Sequence, residues 1–402
     1  MPQTRSLESA RRVFDDVVAL RRKLHRHPEV GNHLPVSRKI ILDALFGLEI
    51  EIVEHETTSG VVGILRGGQP GPTVVLRADF DALHLHEDTG LEFASEYEGQ
   101  MHACGHDLHT AMLFGAARLL SEEASNLAGN VLFMFQPGEE GHHGARFMLD
   151  EGLLDTIEPR PTRAFAIHVS TLYRTGTVNI RSGPMMAAAD KVVIVVKGRG
   201  GHASAPHNAA DPVSVAAEIV MAVQMAMTRQ GNVFDPAVVT FGMLQAGSAY
   251  NIIPETATLT GTTRTMSADR RKHVHEMIRQ VANGVAAAHG VAAETEVILG
   301  YPVTINDREV TDATLQVAAE LLGQDRVHEL SAPSMGAEDW SYVLEEVPGV
   351  MAFLGACPDH LEPGNSPANH SNRVVFDEAA LNDGVALHVA MVHRLLADAA
   401  TD

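Results

Sequence analysis

Apolar positions along this chain recur with a period of about 3.6 in some stretches and about two in others, and the changes mark out its elements. Positions 13–24 carry a helical stripe running into Leu24-His25-Arg26-His27-Pro28-Glu29, where Pro28 stops the helix. His25 and His27 are therefore expected at a helix end, a place that suits a basic group. A second helix is predicted at 36–45. Short β-rich runs follow at 73–78, 130–136 and 163–169, each apolar and each closed by polar chemistry. The first ends in Asp79-Phe80-Asp81, the second in Pro137-Gly138-Glu139-Glu140-Gly141, the third in His168. Between the first two, Leu108, Ala111, Met112, Gly115 and Leu119 recur at helical spacing. Buried strands with helices between them predict an α/β fold: a mostly parallel sheet with its site outside the strands' carboxyl ends.

The texture changes after Gly183-Pro184. A strand at 191–197, a helix at 211–229, strands at 237–244 and 255–264, a helix at 269–289 and a strand at 293–299 give the order βαββαβ. That order is a split βαβ, or ferredoxin-like, unit. It predicts an inserted domain at 189–303, interrupting a domain made of 1–188 and 304–402. A helix at 312–322, an apolar strand at 350–356 and a long helix at 378–396 complete the interrupted domain. No internal repeat or low-complexity segment disturbs this reading.

Composition narrows the function. A chain of 402 residues has room for two domains, and 45% hydrophobic residues with 5% aromatic is ordinary for a soluble globular protein. A formal charge of -21 argues against nucleic acid or an anionic membrane as partner, and small substrates remain open. Residues 1–19 mix Arg and Asp with apolar residues and lack a signal-peptide core, and no stretch offers the roughly 20 apolar residues of a membrane span. The expected location is cytoplasmic. Cys104 and Cys357 are accordingly expected as thiols rather than a disulfide.

Chemistry concentrates in Met101-His102-Ala103-Cys104-Gly105-His106-Asp107-Leu108-His109-Thr110. Gly105 lets the chain turn so that Cys104 and His106 converge on one point at a helix start. A helix start favours a thiolate, the form that binds metal. For these ten residues alone the alternatives are a cysteine buried as a small hydrophobe and a His-rich stretch that is simply a solvated loop. Glu139 and Glu140 are adjacent after a strand, where neighbouring side chains point apart, so one carboxylate can ligate metal while the other moves protons. An acidic surface turn is the plain alternative. His370, in a loop, is a weak candidate by itself.

Five segments together carry a resemblance: Asp79-Phe80-Asp81-Ala82-Leu83, Cys104-Gly105-His106-Asp107, Gln136-Pro137-Gly138-Glu139-Glu140, Gly201-His202-Ala203-Ser204-Ala205-Pro206-His207 and Met335-Gly336-Ala337-Glu338-Asp339. In this order they resemble the M20 metallopeptidase family, and within it the amidohydrolase branch of aminoacylases, hippurate hydrolases and auxin-conjugate hydrolases. The resemblance implies a two-metal catalytic domain interrupted by a lid and dimerisation domain. It implies Cys104, His106, Glu140, His168 and His370 as ligands, Cys104 bridging the ions, Glu139 as general base and Asp81 orienting a ligand. His202 is implied as a lid histidine that reaches the partner subunit's active site and stabilises the oxyanion. Asn251 and Arg264 match positions associated with the substrate carboxylate and the tetrahedral intermediate. Asn251 is equally readable as a structural cap.

The function so implied is hydrolysis of a linear amide between an acyl group, such as acetyl or benzoyl, and an amino acid. The cofactors are two divalent ions, drawn from zinc, manganese, cobalt or nickel, and the expected assembly is a homodimer or higher homo-oligomer through the lid. A dinuclear-metal dipeptidase and an N-carbamoyl amino acid hydrolase share this chemistry. A silent metal- or ligand-binding module is the non-enzyme alternative.

Overall fold

The computed structural model describes residues Pro2 to Ala399. They form two compact units. The larger comprises the chain up to Met185, Ile305–Ala332 and everything from Asp339; the smaller comprises Met186–Thr304 and Pro333–Glu338.

The core of the larger unit is an eight-stranded sheet in the order Glu51–Glu54, Val61–Arg66, Ala128–Gln136, Gln69–Asp79, Pro161–Arg174, Gly349–Cys357, Val178–Ile180, Val327–Glu329. Its centre is parallel: Gln69–Asp79 lies between Ala128–Gln136 and Pro161–Arg174, and Gly349–Cys357 runs parallel to the latter. Antiparallel pairs occur further out, at Glu51–Glu54 with Val61–Arg66 and at Val61–Arg66 with Ala128–Gln136. The apolar runs Val74-Val75-Leu76 and Val131-Leu132-Phe133-Met134-Phe135 are wholly buried, as strands covered on both faces must be. From Gln69–Asp79 the chain passes through the helix His106–Glu122 to the neighbour on one side. It then crosses to Pro161–Arg174 on the other. Loops leaving the carboxyl ends diverge at such a reversal and open a crevice.

Helices Pro2–Arg26, His106–Glu122, Arg308–Leu322 and Ala379–Ala399 pack on one another, and Ala379–Ala399 also lies against the central strands. The first helix begins well before position 13. Ala10 continues the buried stripe of Val13, Val17, Leu20 and Leu24 upstream, where charged residues between its apolar positions hide the period. Among the described residues no helix is long and apolar enough to cross a membrane.

The smaller unit is an antiparallel sheet in the order Ala237–Ala246, Thr256–Thr265, Ala188–Lys197, Ala292–Leu299, with helices Pro212–Gln230 and Ala268–Ala288. The chain order is βαββαβ. Val192, Ile194 and Val196 alternate into a core shared with Ile219, Val223, Val274 and Ile278. Asp211 and Ser267 cap the two helices through Val213 N–H and Arg270 N–H. The segment Pro333–Glu338, which lies outside the expected 189–303, joins this unit because Ala187 N–H donates to Ser334 O and Gly336 O. Pairing across so long a separation leaves no periodic trace in the sequence.

Candidate active site

The crevice of the larger unit collects polar chemistry from five segments. Gly105 caps the helix His106–Glu122 with φ 93°, and a Cβ there would lie 2.3 Å from Val169 Cγ2, so only glycine turns the chain this closely. The turn sets Cys104 and His106 on one point. Gly138 plays the same part after Ala128–Gln136: with φ 64° and Asn32 Oδ1 1.8 Å from where a Cβ would be, it lets the chain double back at Glu139 and Glu140. His168 sits in the strand Pro161–Arg174, and His370 in the loop before the last helix.

Cys104 Sγ lies 3.5 Å from His168 Nε2 and 3.2 Å from His370 Nε2. His370 Nε2 is 3.0 Å from Glu140 Oε1, and His106 Nε2 is 4.0 Å from it. Glu139 offers a carboxylate oxygen to the same place, within 4.8 Å of the ligating atoms of His106 and Glu140. The two glutamates, expected to point apart, therefore both reach one cluster, because the turn at Gly138 bends the backbone between strand and helix.

The donors have the form a metal needs. His106 Nδ1 donates to Asp81 O (2.9 Å) and His168 Nδ1 to Val169 O (2.8 Å), so in its neutral form each ring presents Nε2 to the cluster as the lone-pair nitrogen. His106 Nε2 is buried without a hydrogen-bond partner. Such an orphaned atom is costly unless a cation meets it. The electrostatics agree: the neighbouring Cys104 and Glu140 push the His370 pKa up to about 10, the response of a site that demands positive charge. Burial pulls His106 down, but Asp79, Cys104 and Asp81 outweigh it and hold its pKa well above the ordinary value. Burial and the nearby Glu140 push the Cys104 thiol up, against the expectation that the helix start alone would favour thiolate. Desolvation wins over the dipole here, and a divalent cation held by these donors would favour the thiolate. Thiolate, imidazole and carboxylate in this arrangement fit divalent ions.

Several supporting residues escape a reading of the sequence. Asp79 Oδ1 accepts from His109 Nδ1 (2.6 Å), and Val169 N–H donates to His109 Nε2 (2.8 Å), which fixes that ring's tautomer beside His168. Arg77 is buried within an apolar strand, where it donates to Gln136 Oε1 (2.9 Å) and pairs with Asp79 Oδ2 (2.8 Å). Gln136 in turn donates to Asp339 Oδ1 (2.7 Å). The visible signal was a lone Arg inside Val-Val-Leu-Arg-Ala. Asp107 accepts from buried Arg21 Nε (2.8 Å) and lies 2.9 Å from His25 Nδ1, so His25 ends its helix as expected and also braces the segment carrying His106. Asp81 Oδ2 accepts from Glu140 N–H (3.0 Å), tying two site segments together. Cys104 and Cys357 are both free.

Three expected residues lie in the smaller unit. His202, exposed, forms the short strand Gly201–His202 that pairs with Ile252–Ile253. Ser204 N–H donates to its Nδ1 (3.1 Å), so its Nε2 carries the proton. Asn251 is exposed, and its carbonyl accepts from Ala203 N–H (3.1 Å). Arg264, half-buried in Thr256–Thr265, donates through Nη1 to Thr262 Oγ1 and to Thr263 O (3.0 Å). Burial draws its pKa down from the ordinary value.

The sequence pattern of Peptidase family M20/M25/M40 matches residues 75–394, which is most of the chain and every segment of the cluster. The chain belongs to this family. This M20 protein is 38% identical over 340 residues to the N-acetylcysteine deacetylase of Bacillus subtilis, spanning 84% of this chain and 88% of that one. It is 36% identical over 391 residues to thermostable carboxypeptidase 1 of Saccharolobus solfataricus, spanning 96% of each. Among solved structures it superposes on the YXEP protein of Bacillus subtilis, described as a dinuclear metal binding peptidase of the M20 family. That match has a TM-score of 0.83 at 32% identity, covering 96% of this chain and 99% of that one. The M20 protein is a metal-dependent hydrolase of amides, and its donor cluster suits two divalent ions.

Proposed function

We propose that this M20 hydrolase cleaves N-acyl amino acids, releasing a carboxylic acid and a free amino acid. The observation that carries the reading is the convergence of Cys104, His106, Glu140, His168 and His370 with a second carboxylate, Glu139, in one cluster that is buried at Cys104, His106 and His168 and open at His370. A storage site has no need of that extra carboxylate, which argues against a silent binding module. Cys104, His106, Glu140, His168 and His370 would hold the ions, and Asp81 orients His106. When bound, the ions supply Lewis acidity that brings water to reactivity near neutral pH and polarises the amide carbonyl. Glu139 takes the proton from the attacking water and returns it to the leaving nitrogen. His202, with its proton on Nε2, donates to the developing oxyanion, acting across a subunit interface. Arg264 and Asn251 take the free carboxylate, for which a guanidinium fork is suited.

The smaller unit serves as lid and dimerisation domain. What supports a homodimer is its sheet edge: Ala237–Ala246 pairs on one side only, and it exposes Val238, Met243 and Leu244. The mixed donors suit zinc, manganese, cobalt or nickel. Two free thiols fit a cytoplasmic protein. The similarity to a carboxypeptidase favours a second reading, cleavage of short peptides by the same residues.

The test is hydrolysis of N-acetyl and N-benzoyl amino acids beside N-carbamoyl compounds and dipeptides, on protein stripped of metal and reloaded with single ions. Metal-restored cleavage of the acyl compounds in preference to the rest is expected. Faster dipeptide turnover would move the assignment to a peptidase. Binding without turnover under every metal would leave only the silent module.

A further inference from the structure

The ligand-bearing segments of this site come from distant parts of the chain, and one side chain, next to the ligand His370, is bonded to two of the others. Asn369 Nδ2 donates to Cys104 O (3.0 Å) and to Val169 O (3.0 Å), and its Oδ1 accepts from Thr171 N–H (3.4 Å). Both amide hydrogens and the amide oxygen are thus used, on the loop of Cys104, on the strand of His168 and on that strand's continuation. The next residue is His370. Its N–H donates to Ala103 O (2.9 Å), and its φ is 69°, a left-handed conformation that costs a non-glycine residue. The backbone therefore holds His370 in a disfavoured state, and the contacts that hold it are those of Asn369 and Ala103. Val169 O is also the acceptor for His168 Nδ1 (2.8 Å), so the same carbonyl that fixes the His168 ring is pinned by Asn369.

We infer that Asn369 is a positioning residue for the metal centre: its carboxamide clamps the Cys104, His168 and His370 segments in the register at which their ligating atoms meet. The inference rests on the ligand assignment made above. No other small side chain supplies the pattern. Aspartate has the same shape but no donors, and it would face two carbonyl oxygens with charge. Alanine leaves both carbonyls without this partner. Glutamine keeps the chemistry with one more methylene.

The test measures metal, not rate alone. Asn369→Asp, Asn369→Ala and Asn369→Gln are compared with the parent, each stripped of metal, by thermal unfolding of the metal-free protein and by titration with cobalt(II), whose thiolate charge-transfer absorption reports Cys104 directly. Metal-free melting temperatures within a few degrees of the parent are expected for all three. With them should come at least about tenfold weaker cobalt binding and a diminished thiolate band in Asn369→Asp and Asn369→Ala, the scale of lost second-layer support at metal sites. Asn369→Gln should recover part of both. Parental affinity and band in Asn369→Asp and Asn369→Ala would overturn the inference, as would a collapse of their metal-free stability, which would make the residue a fold support only. Cys104→Ser and His370→Ala run alongside. If these two also bind like the parent, the ligand assignment itself fails; if they lose metal while the Asn369 variants keep it, only the clamp fails.

Discussion

Glu139 and Cys104 separate two duties that a metal hydrolase assigns to side chains. Glu139→Gln keeps the shape of the carboxylate and removes its basicity. Metal content should match the parent while turnover falls by at least about a hundredfold, the usual contribution of a positioned acid-base group. Metal analysis with steady-state rates checks this, and near-normal turnover would strip Glu139 of the role. Cys104→Ser changes the other duty. Its sulfur is within 3.5 Å of two imidazole Nε2 atoms, and an alcohol in its place is a harder, far less acidic donor. Occupancy after dialysis against a weak chelator should fall before any effect on the fold, and parental occupancy would exclude Cys104 from the ligand set.

Among the elements, the C-terminal helix Ala379–Ala399 contributes an acid sensitivity of its own. His388 is buried against Phe165, ring centroids 5.4 Å apart, and its Nδ1 has no hydrogen-bond partner. Burial pushes its pKa down to about 3. Unfolded, it would titrate near 6.5, so between those values the unfolded chain binds a proton that the folded chain refuses. Stability is therefore lost as pH falls from about 6.5 towards 3, by up to about 1.4 kcal/mol per pH unit. His388→Phe fills the same space without a titrating group. The drop in urea-unfolding free energy from pH 7 to pH 5 should shrink by about 2 kcal/mol relative to the parent. An unchanged drop would mean that His388 is not held neutral. This helix, the strands that lead to Asp81 and Glu139 and the strand that carries His168 were legible in the sequence, because buried elements write long apolar runs. The braces were not. Asp79 with His109, Arg21 with Asp107 and Asn369 with Cys104 are polar pairs separated by 30, 86 and 265 positions, and no period links partners so far apart. His370 stood out only through family resemblance, since a loop residue held at positive φ by its neighbours leaves no local pattern.

At the scale of the whole molecule, the smaller unit exposes apolar side chains, the kind of patch that marks an interaction site. The edge strand Ala237–Ala246 is joined to the helix Pro212–Gln230 by Gln224 Nε2, which donates to Val239 O (2.9 Å). On that helix Met221 and Met225, one turn apart, are each 69% exposed. An unpaired strand edge with a methionine ridge beside it suits a second copy of the same surface, since a two-fold axis lets the edge pair with itself. Replacing Met221 and Met225 together by glutamate sets like charges against each other across such an axis. Light scattering should then report a monomer for the variant against the proposed dimer of the parent, with circular dichroism and metal content unchanged. Turnover carries the further information. If His202 serves the partner subunit's site, the monomer should lose at least about a hundredfold in rate, the scale of a missing oxyanion donor, while still binding its ions. A fully active monomer would confine catalysis to one chain and leave His202 without its proposed role across the interface; an unchanged dimer would place the interface elsewhere on the molecule.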